Sequence, residues 1–224
     1  MSPKSSLKFD LDCRDCPRLA GFLDQTSLKF PDYHARPVAP FGDEAARLLI
    51  VGLAPGMHGA NATGRPFTGD HAGILLYKTL HDFGFSNKPE STSLTDGLQL
   101  ADCRITNAVK CLPPQNKPIL DEVKKCNRFL RAEIESLPEP AIVIALGKLA
   151  HDAVLRSLGL RLSAFSFGHE QTHSITDKLT LIDSYHCSRY NTQTRRLTPE
   201  MFSNVFRHAS NLLGAQDRPS CPQV

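Results

Sequence analysis

Arg47-Leu-Leu-Ile-Val51 runs without a break into Gly52-Leu-Ala-Pro-Gly-Met-His-Gly-Ala-Asn-Ala-Thr-Gly-Arg-Pro-Phe-Thr-Gly-Asp70. The first five residues are mostly apolar and predict a buried strand. The stretch that follows carries glycine at 52, 56, 59, 64 and 69 before a helical pattern resumes. Glycine reaches positive φ and lets a ligand approach bare backbone, so a strand that ends in glycines predicts a pocket floor. His58, Asn61, Thr63, Arg65, Phe67 and Asp70 add donors, an aromatic plate and a carboxylate to the same loop. Long irregular connections in compact domains are usually functional.

Three more apolar runs read as strands: Cys103–Val109, Ala141–Leu146 and Leu179–Tyr185. Between them, apolar residues step by three or four. Leu19, Phe22 and Leu23 do so early in the chain, then Ile74, Leu75, Leu76, Leu80 and Phe83. Leu120, Val123, Cys126, Leu130, Ile134 and Leu137 form a third stripe, and Leu149, Ala150, Ala153, Val154 and Leu158 a fourth. Thr198-Pro199 is an N-cap signature before Met201, Phe202, Val205, Phe206, Ala209, Leu212 and Leu213. Alternating strands and helices predict an α/β chain: a three-layer α/β/α sandwich on a four-stranded parallel sheet. Ligands bind beyond the carboxyl ends of such strands. Three of the four strands deliver candidates there, namely the glycine loop, Asn107 and His186.

The 224 residues suit one domain, taken as 1–215 with a disordered tail at 216–224. No apolar run approaches the ~20 residues of a membrane span, and no apolar leader opens the chain. A cytoplasmic monomer without membrane contact is the expectation. A net charge of +3 decides little, but Arg189, Arg195 and Arg196 fall close together with no acid between 186 and 196. A basic segment of this kind suits a polyanion or a solvated loop. Seven cysteines, an odd number, argue against a disulfide framework in a chain this size. Cys13 and Cys16 make a close pair, while Cys111 and Cys126 are separated by fourteen residues. That spacing suits a metal or a cluster, and leaves zinc and iron–sulfur both open. Cys103, Cys187 and Cys221 fit no pattern and read as inert.

With these pieces placed, the chain resembles the uracil-DNA glycosylases of the iron–sulfur branch, and within it the type 5 group. The matching segments are Gly52-Leu-Ala-Pro-Gly56 with His58-Gly59, then Thr63-Gly-Arg-Pro-Phe-Thr-Gly-Asp70, then Asn107-Ala-Val-Lys-Cys111-Leu-Pro-Pro-Gln-Asn116. Ala145-Leu-Gly147 and Ser184-Tyr-His186-Cys-Ser-Arg-Tyr-Asn191 complete the match. The resemblance implies hydrolysis of the N-glycosidic bond of uracil in DNA, probed by base flipping, with some tolerance for hypoxanthine and modified cytosines. It implies a structural [4Fe–4S] cluster on Cys13, Cys16, Cys111 and Cys126. Other branches place a polar, water-activating side chain in the first motif. Gly52-Leu-Ala-Pro-Gly56 holds none, and in the type 5 group the task passes to the position of Asp70.

Asp70 and His186 are therefore the expected catalytic pair. Gly52, Ala54, Pro55, His58, Phe67, Asn107 and Asn116 are the expected substrate-binding positions, with Phe67 stacking on the base. Either Asn107 or Asn116 reads the base edge. Arg189, Tyr190, Asn191, Arg195 and Arg196 are expected on double-stranded DNA, with Arg189 or Tyr190 as the wedge that fills the gap. The rival readings are a non-catalytic iron–sulfur domain that binds nucleic acid and an electron-transfer protein.

Overall fold

A computed structural model describes residues 9–214. The tail expected from 216 on, and Cys221 within it, lie outside the described residues. In chain order the elements are α1 (Pro17–Lys29), β1 (Phe41–Gly42), β2 (Leu48–Gly52), α2 (Ala60–Thr63), α3 (His71–Asp82) and β3 (Cys103–Asn107). They continue with α4 (Leu120–Ser136), β4 (Ala141–Leu146), α5 (Lys148–Ser157), β5 (Thr172–Thr176), β6 (Leu179–Ser184), α6 (Arg189–Gln193) and α7 (Pro199–Leu212). Among the described residues no helix is long and apolar enough to cross a membrane.

The four expected strands form the parallel centre of one sheet in the order β3-β2-β4-β6. Ile50 pairs with Ile105 on one side and Ile144 on the other, and Ile144 pairs with Ile182. This register puts a continuous apolar band through the middle of the molecule. Successive residues alternate faces. Leu48 and Ile50 pack with Leu76, Tyr77 and Leu80 of α3 and Phe202, Val205 and Phe206 of α7. Leu49 and Val51 pack with Leu130 and Ile134 of α4 and Ala150, Ala153 and Val154 of α5. A third cluster joins Leu19 and Leu23 of α1 to Val109, Leu112 and Phe129.

The sheet has six strands rather than four. β1 adds antiparallel to β3 and β5 antiparallel to β6. The expected glycine loop contains a helical turn, α2, and the segment after His186, expected as a loop, is the short helix α6. Four residues assigned to inner helical stripes are exposed instead: Ile74, Leu120, Leu149 and Leu212. Each lies within the first or last four residues of its helix. A spacing of three or four does not separate the rim of an apolar stripe from its centre.

Candidate active site

The carboxyl ends of β2, β3 and β6 open onto a cavity of about 810 Å³. Its walls include Ala54, Gly56, Phe67, Asp70, Asn107, Asn116 and His186. Leu53, Ala60, Ala72 and Ser188 also line it, and the sequence reading assigned none of these to the substrate. Ser188 carries a local signal, since it is the N-cap of α6. Pro55 is buried beside the wall, and Gly52 lies beneath it.

Three glycines make the pocket possible by leaving room for its functional groups. A Cβ on Gly52 would stand 2.6 Å from Phe67 Cζ and would also strike Asn107 Oδ1. A Cβ on Gly59 would stand 2.7 Å from Asp70 Cβ. A Cβ on Gly73 would be driven into the carbonyl oxygen of Phe67. Phe67 itself has φ +55°, a left-handed conformation that a bulky residue adopts only under constraint. The constraint is visible. Tyr77 Oη donates to Pro66 O at 2.7 Å, and Thr68 Oγ1 meets Ser91 Oγ at 2.6 Å. Behind them, the buried Arg65 guanidinium pairs with Asp96 at 2.8 Å and lies 4.3 Å from the centre of the Phe41 ring. Asp96 is desolvated, yet Arg65 and the N–H groups of Leu98, Thr92 and Ser93 hold its carboxyl well below the usual carboxylate range.

Asp70 is the N-cap of α3, with Oδ1 accepting from Gly73 N–H at 3.0 Å. Oδ2 lies against the bare backbones of Gly56 and Gly59. Burial raises the carboxyl's pKa, and the N–H groups of Gly73 and Ala72 partly offset that rise. The group stays an acid, but a weaker one than an exposed aspartate.

His186 follows β6 directly. Its ring centroid is 6.0 Å from that of Phe67, with 30° between the planes. Burial lowers its pKa to about 4, so the imidazole is neutral at pH 7. Asn191 Nδ2 donates to His186 O at 2.8 Å. The Asn191 amide thus faces inward and holds the His186 turn. Gly147, at φ +94°, leaves room for the His186 Cβ at the end of β4.

The two amides differ in depth. Asn107 is 3% exposed, lines the cavity, and has no hydrogen-bond partner within the chain among the described residues. Asn116 is exposed on the rim, with φ +56°. His58 does not line the cavity. It is exposed beside it, with Nδ1 2.8 Å from Tyr33 Oη. A second cavity, of about 960 Å³, shares Phe67 and Asp70 and reaches Ser91, Thr92 and Arg189. Arg189, Tyr190, Arg195 and Arg196 are all exposed. Arg196 lies over the Tyr185 ring, 4.8 Å from its centre.

Away from the pocket, Cys13, Cys16, Cys111 and Cys126 share one small apolar-walled cavity with Leu19, Val109 and Phe129. None is in a disulfide. Burial and the neighbouring cysteines push the Cys111 thiol up to about 12. Burial likewise pushes Cys126 up to about 11. Lys110 N–H donates to Cys126 Sγ at 3.3 Å, and Arg128 Nη2 to Cys13 Sγ at 3.7 Å. Backbone and guanidinium donors aimed at sulfur are the surroundings that a thiolate-held metal group requires.

A further cluster, His151, His173 and Asp183, brings three potential ligand atoms within 4.8 Å of one another. His151 Nδ1 lies 2.7 Å from Asp183 Oδ1, and its Nε2 lies 3.0 Å from Phe165 O. Both neighbours offer acceptor oxygens, which favours the protonated ring, and the Asp183 contact raises the His151 pKa although burial opposes it.

Comparison with known proteins fits this geometry. A family model described as the uracil DNA glycosylase superfamily matches residues 39–210. The type-5 uracil-DNA glycosylase of Thermus thermophilus is 46% identical over 207 residues, covering 90% of this chain and 94% of that protein. The chain belongs to the uracil-DNA glycosylase superfamily, in its type-5 group. The type-5 uracil-DNA glycosylase of Pyrobaculum aerophilum is 42% identical, covering 89% of this chain and 88% of its own. A type-4 uracil-DNA glycosylase from Archaeoglobus fulgidus is more distant, at 29% identity over 210 residues. The type-5 resemblance therefore extends across most of the chain, and the family match at 39–210 spans the residues that line the pocket.

Proposed function

We propose that this chain is a uracil-DNA glycosylase that hydrolyses the N-glycosidic bond of uracil in DNA, with Asp70 and His186 as its catalytic pair. The observation that carries the residue assignment is the pocket itself. An unpartnered buried amide, an aromatic plate, a carboxylate and a neutral imidazole converge beyond the ends of β2, β3 and β6. The reaction needs each of them. A base inside a duplex is unreachable, so the nucleotide is flipped into the cavity and its base stacks on Phe67. Asn107, deep in the cavity, hydrogen-bonds the base edge, and Asn116 closes the rim above it. Cleavage places positive charge on the sugar and negative charge on the departing base. Asp70 offsets the first through Oδ2 and orients a water toward C1′. The His186 N–H donates to the uracil oxygen on which negative charge gathers. A neutral imidazole still carries one N–H and can donate it. The binding-domain alternative is not favoured, because relatives similar over about nine-tenths of the chain carry the enzyme's name.

On the DNA side, Arg189 lines the second cavity, Tyr190 next to it in the chain is exposed, and one of the two serves as the wedge. Arg195 and Arg196 are placed for phosphates. Asn191 acts inward, through the His186 carbonyl.

The four free cysteines line one cavity, with donors aimed at two of their sulfurs, and this supports a thiolate-held group there. Cys13, Cys16, Cys111 and Cys126 would hold a [4Fe–4S] cluster, which would tie the segment before α1 to α4. Two measurements test these readings. Release of free uracil from a uracil-containing duplex tests the activity, and its absence would sink the enzyme reading. Iron and sulfide content, with a visible thiolate–iron band lost in Cys126→Ser, tests the cluster.

A further inference from the structure

Arg18 stands two residues after Cys16, in the first turn of α1. Its guanidinium grips Glu122 of α4 with both arms, Nε to Oε1 at 2.7 Å and Nη2 to Oε2 at 2.7 Å. The same Nη2 donates to the carbonyl of Lys117 at 3.2 Å. Glu122 Oε2 in turn accepts from Ile119 N–H at 2.9 Å. One planar fork thus joins the cysteine-bearing end of the chain to both Lys117 and Ile119, on either side of Pro118.

That loop needs an outside brace. Gln115 and Asn116 are consecutive non-glycine residues with φ +56°, a costly pair. Pro113, Pro114 and Pro118 remove three N–H groups that could otherwise fix the turn. Within the loop only Asn116 N–H to Pro113 O, at 3.0 Å, and Lys117 N–H to Pro114 O, at 3.1 Å, remain. The Asn116 side chain, which lines the pocket, has no hydrogen-bond partner within the chain among the described residues.

We infer that Arg18 is a positioning residue, holding Asn116 over the base pocket from the cysteine end of the fold through Lys117 and Glu122. This assignment rests on the base-recognition role of the pocket. It predicts that disturbance of the α1 end reaches substrate discrimination through the rim, without touching Asp70 or His186.

The test uses the enzyme as purified with its cysteine-held group and a duplex carrying one 2′-fluoro-2′-deoxyuridine, whose electron-withdrawing fluorine resists cleavage. Binding is read by fluorescence anisotropy against the same duplex with thymine. Arg18→Met leaves Glu122 unpaired, so Arg18→Met with Glu122→Gln, which removes both charges, is measured beside it. Both variants are expected to lose about tenfold in preference for the uracil analogue, the scale of one charge-assisted contact. Affinity for the thymine duplex and the visible band of the cysteine-held group should be unchanged. In an Asn116→Ala background the Arg18 substitutions should cost less than about twofold, because coupled residues are not additive. Wild-type preference in the double variant, or an undiminished loss in the Asn116→Ala background, overturns the inference. An Asn116→Ala enzyme with full preference overturns it too, while leaving uracil release by the wild-type enzyme to stand.

Discussion

Asp70 caps α3 with one oxygen and faces the pocket with the other, so Asp70→Ala removes a cap and a carboxylate together. Asp70→Asn separates them, since asparagine caps as well as aspartate does. Asp70→Asn should lower the single-turnover rate by about 10²–10⁴-fold with an unchanged melting temperature. Asp70→Ala should lose a similar rate and a further ~1 kcal/mol of stability, read by urea unfolding. The pH profile carries the same signature. Burial raises the Asp70 pKa, and the base form is the active one, so the rate should fall as pH drops through a point above the usual ~3.9 of aspartate. His186, already neutral above about 4, should leave the profile flat through pH 6 to 8. A profile that bends near pH 6.5 would remove the neutral-imidazole assignment. At Gly52 an added methyl group displaces Phe67 or Asn107, so Gly52→Ala should weaken binding of the uracil-analogue duplex while the thymine duplex binds as before.

At the scale of elements, α3 holds the stacking plate in its left-handed conformation through Tyr77. Tyr77→Phe leaves the Pro66 carbonyl without its donor and should cost about 1–2 kcal/mol in urea unfolding. It should also weaken selective binding of the uracil analogue, because Phe67 is free to relax. Loss of stability without loss of selectivity would make Tyr77 a core residue only. The central strands were legible in the sequence because they are apolar on both faces, and β4 is buried along its whole length. The edges were not. β1 is two residues long, and β5 reads Thr-His-Ser-Ile-Thr within a polar stretch, with nothing buried on either face. Helix α6 has no apolar stripe, so no periodicity announced it. In the pocket, Phe67, Asp70 and His186 were legible from their positions after strands. The choice between Asn107 and Asn116 was not, because burial separates them and spacing carries no depth. The glycine clearances were equally hidden, since each depends on a residue far along the chain or across a turn.

Across the whole molecule, charge pairs far from the pocket set how stability responds to pH. Burial opposes a charged His151, but the hydrogen bond and attraction of Asp183 prevail and raise its pKa. A raised histidine pKa contributes stability in full below the unfolded value of ~6.5, and loses it as pH climbs through the folded value. The melting-temperature difference between wild type and His151→Asn should therefore be largest near pH 5 and shrink in alkali. His186 works in the opposite sense, since its lowered pKa costs stability as pH falls from ~6.5 toward 4. A His151→Asn difference that grows with pH would overturn the imidazolium pair. The two margins of the sheet carry a different consequence. An exposed, straight strand is a template on which another chain can add, the first step toward fibrils and unwanted pairing. Here one margin is a two-residue strand ending at Gly42, φ +121°, and the other is a five-residue polar strand with a register shift between Ser174 and Thr176. Neither offers a flat ladder to a neighbour. Copies of this enzyme gathered on one stretch of damaged DNA should stay separate, and sedimentation at rising concentration should find a single, unchanging mass.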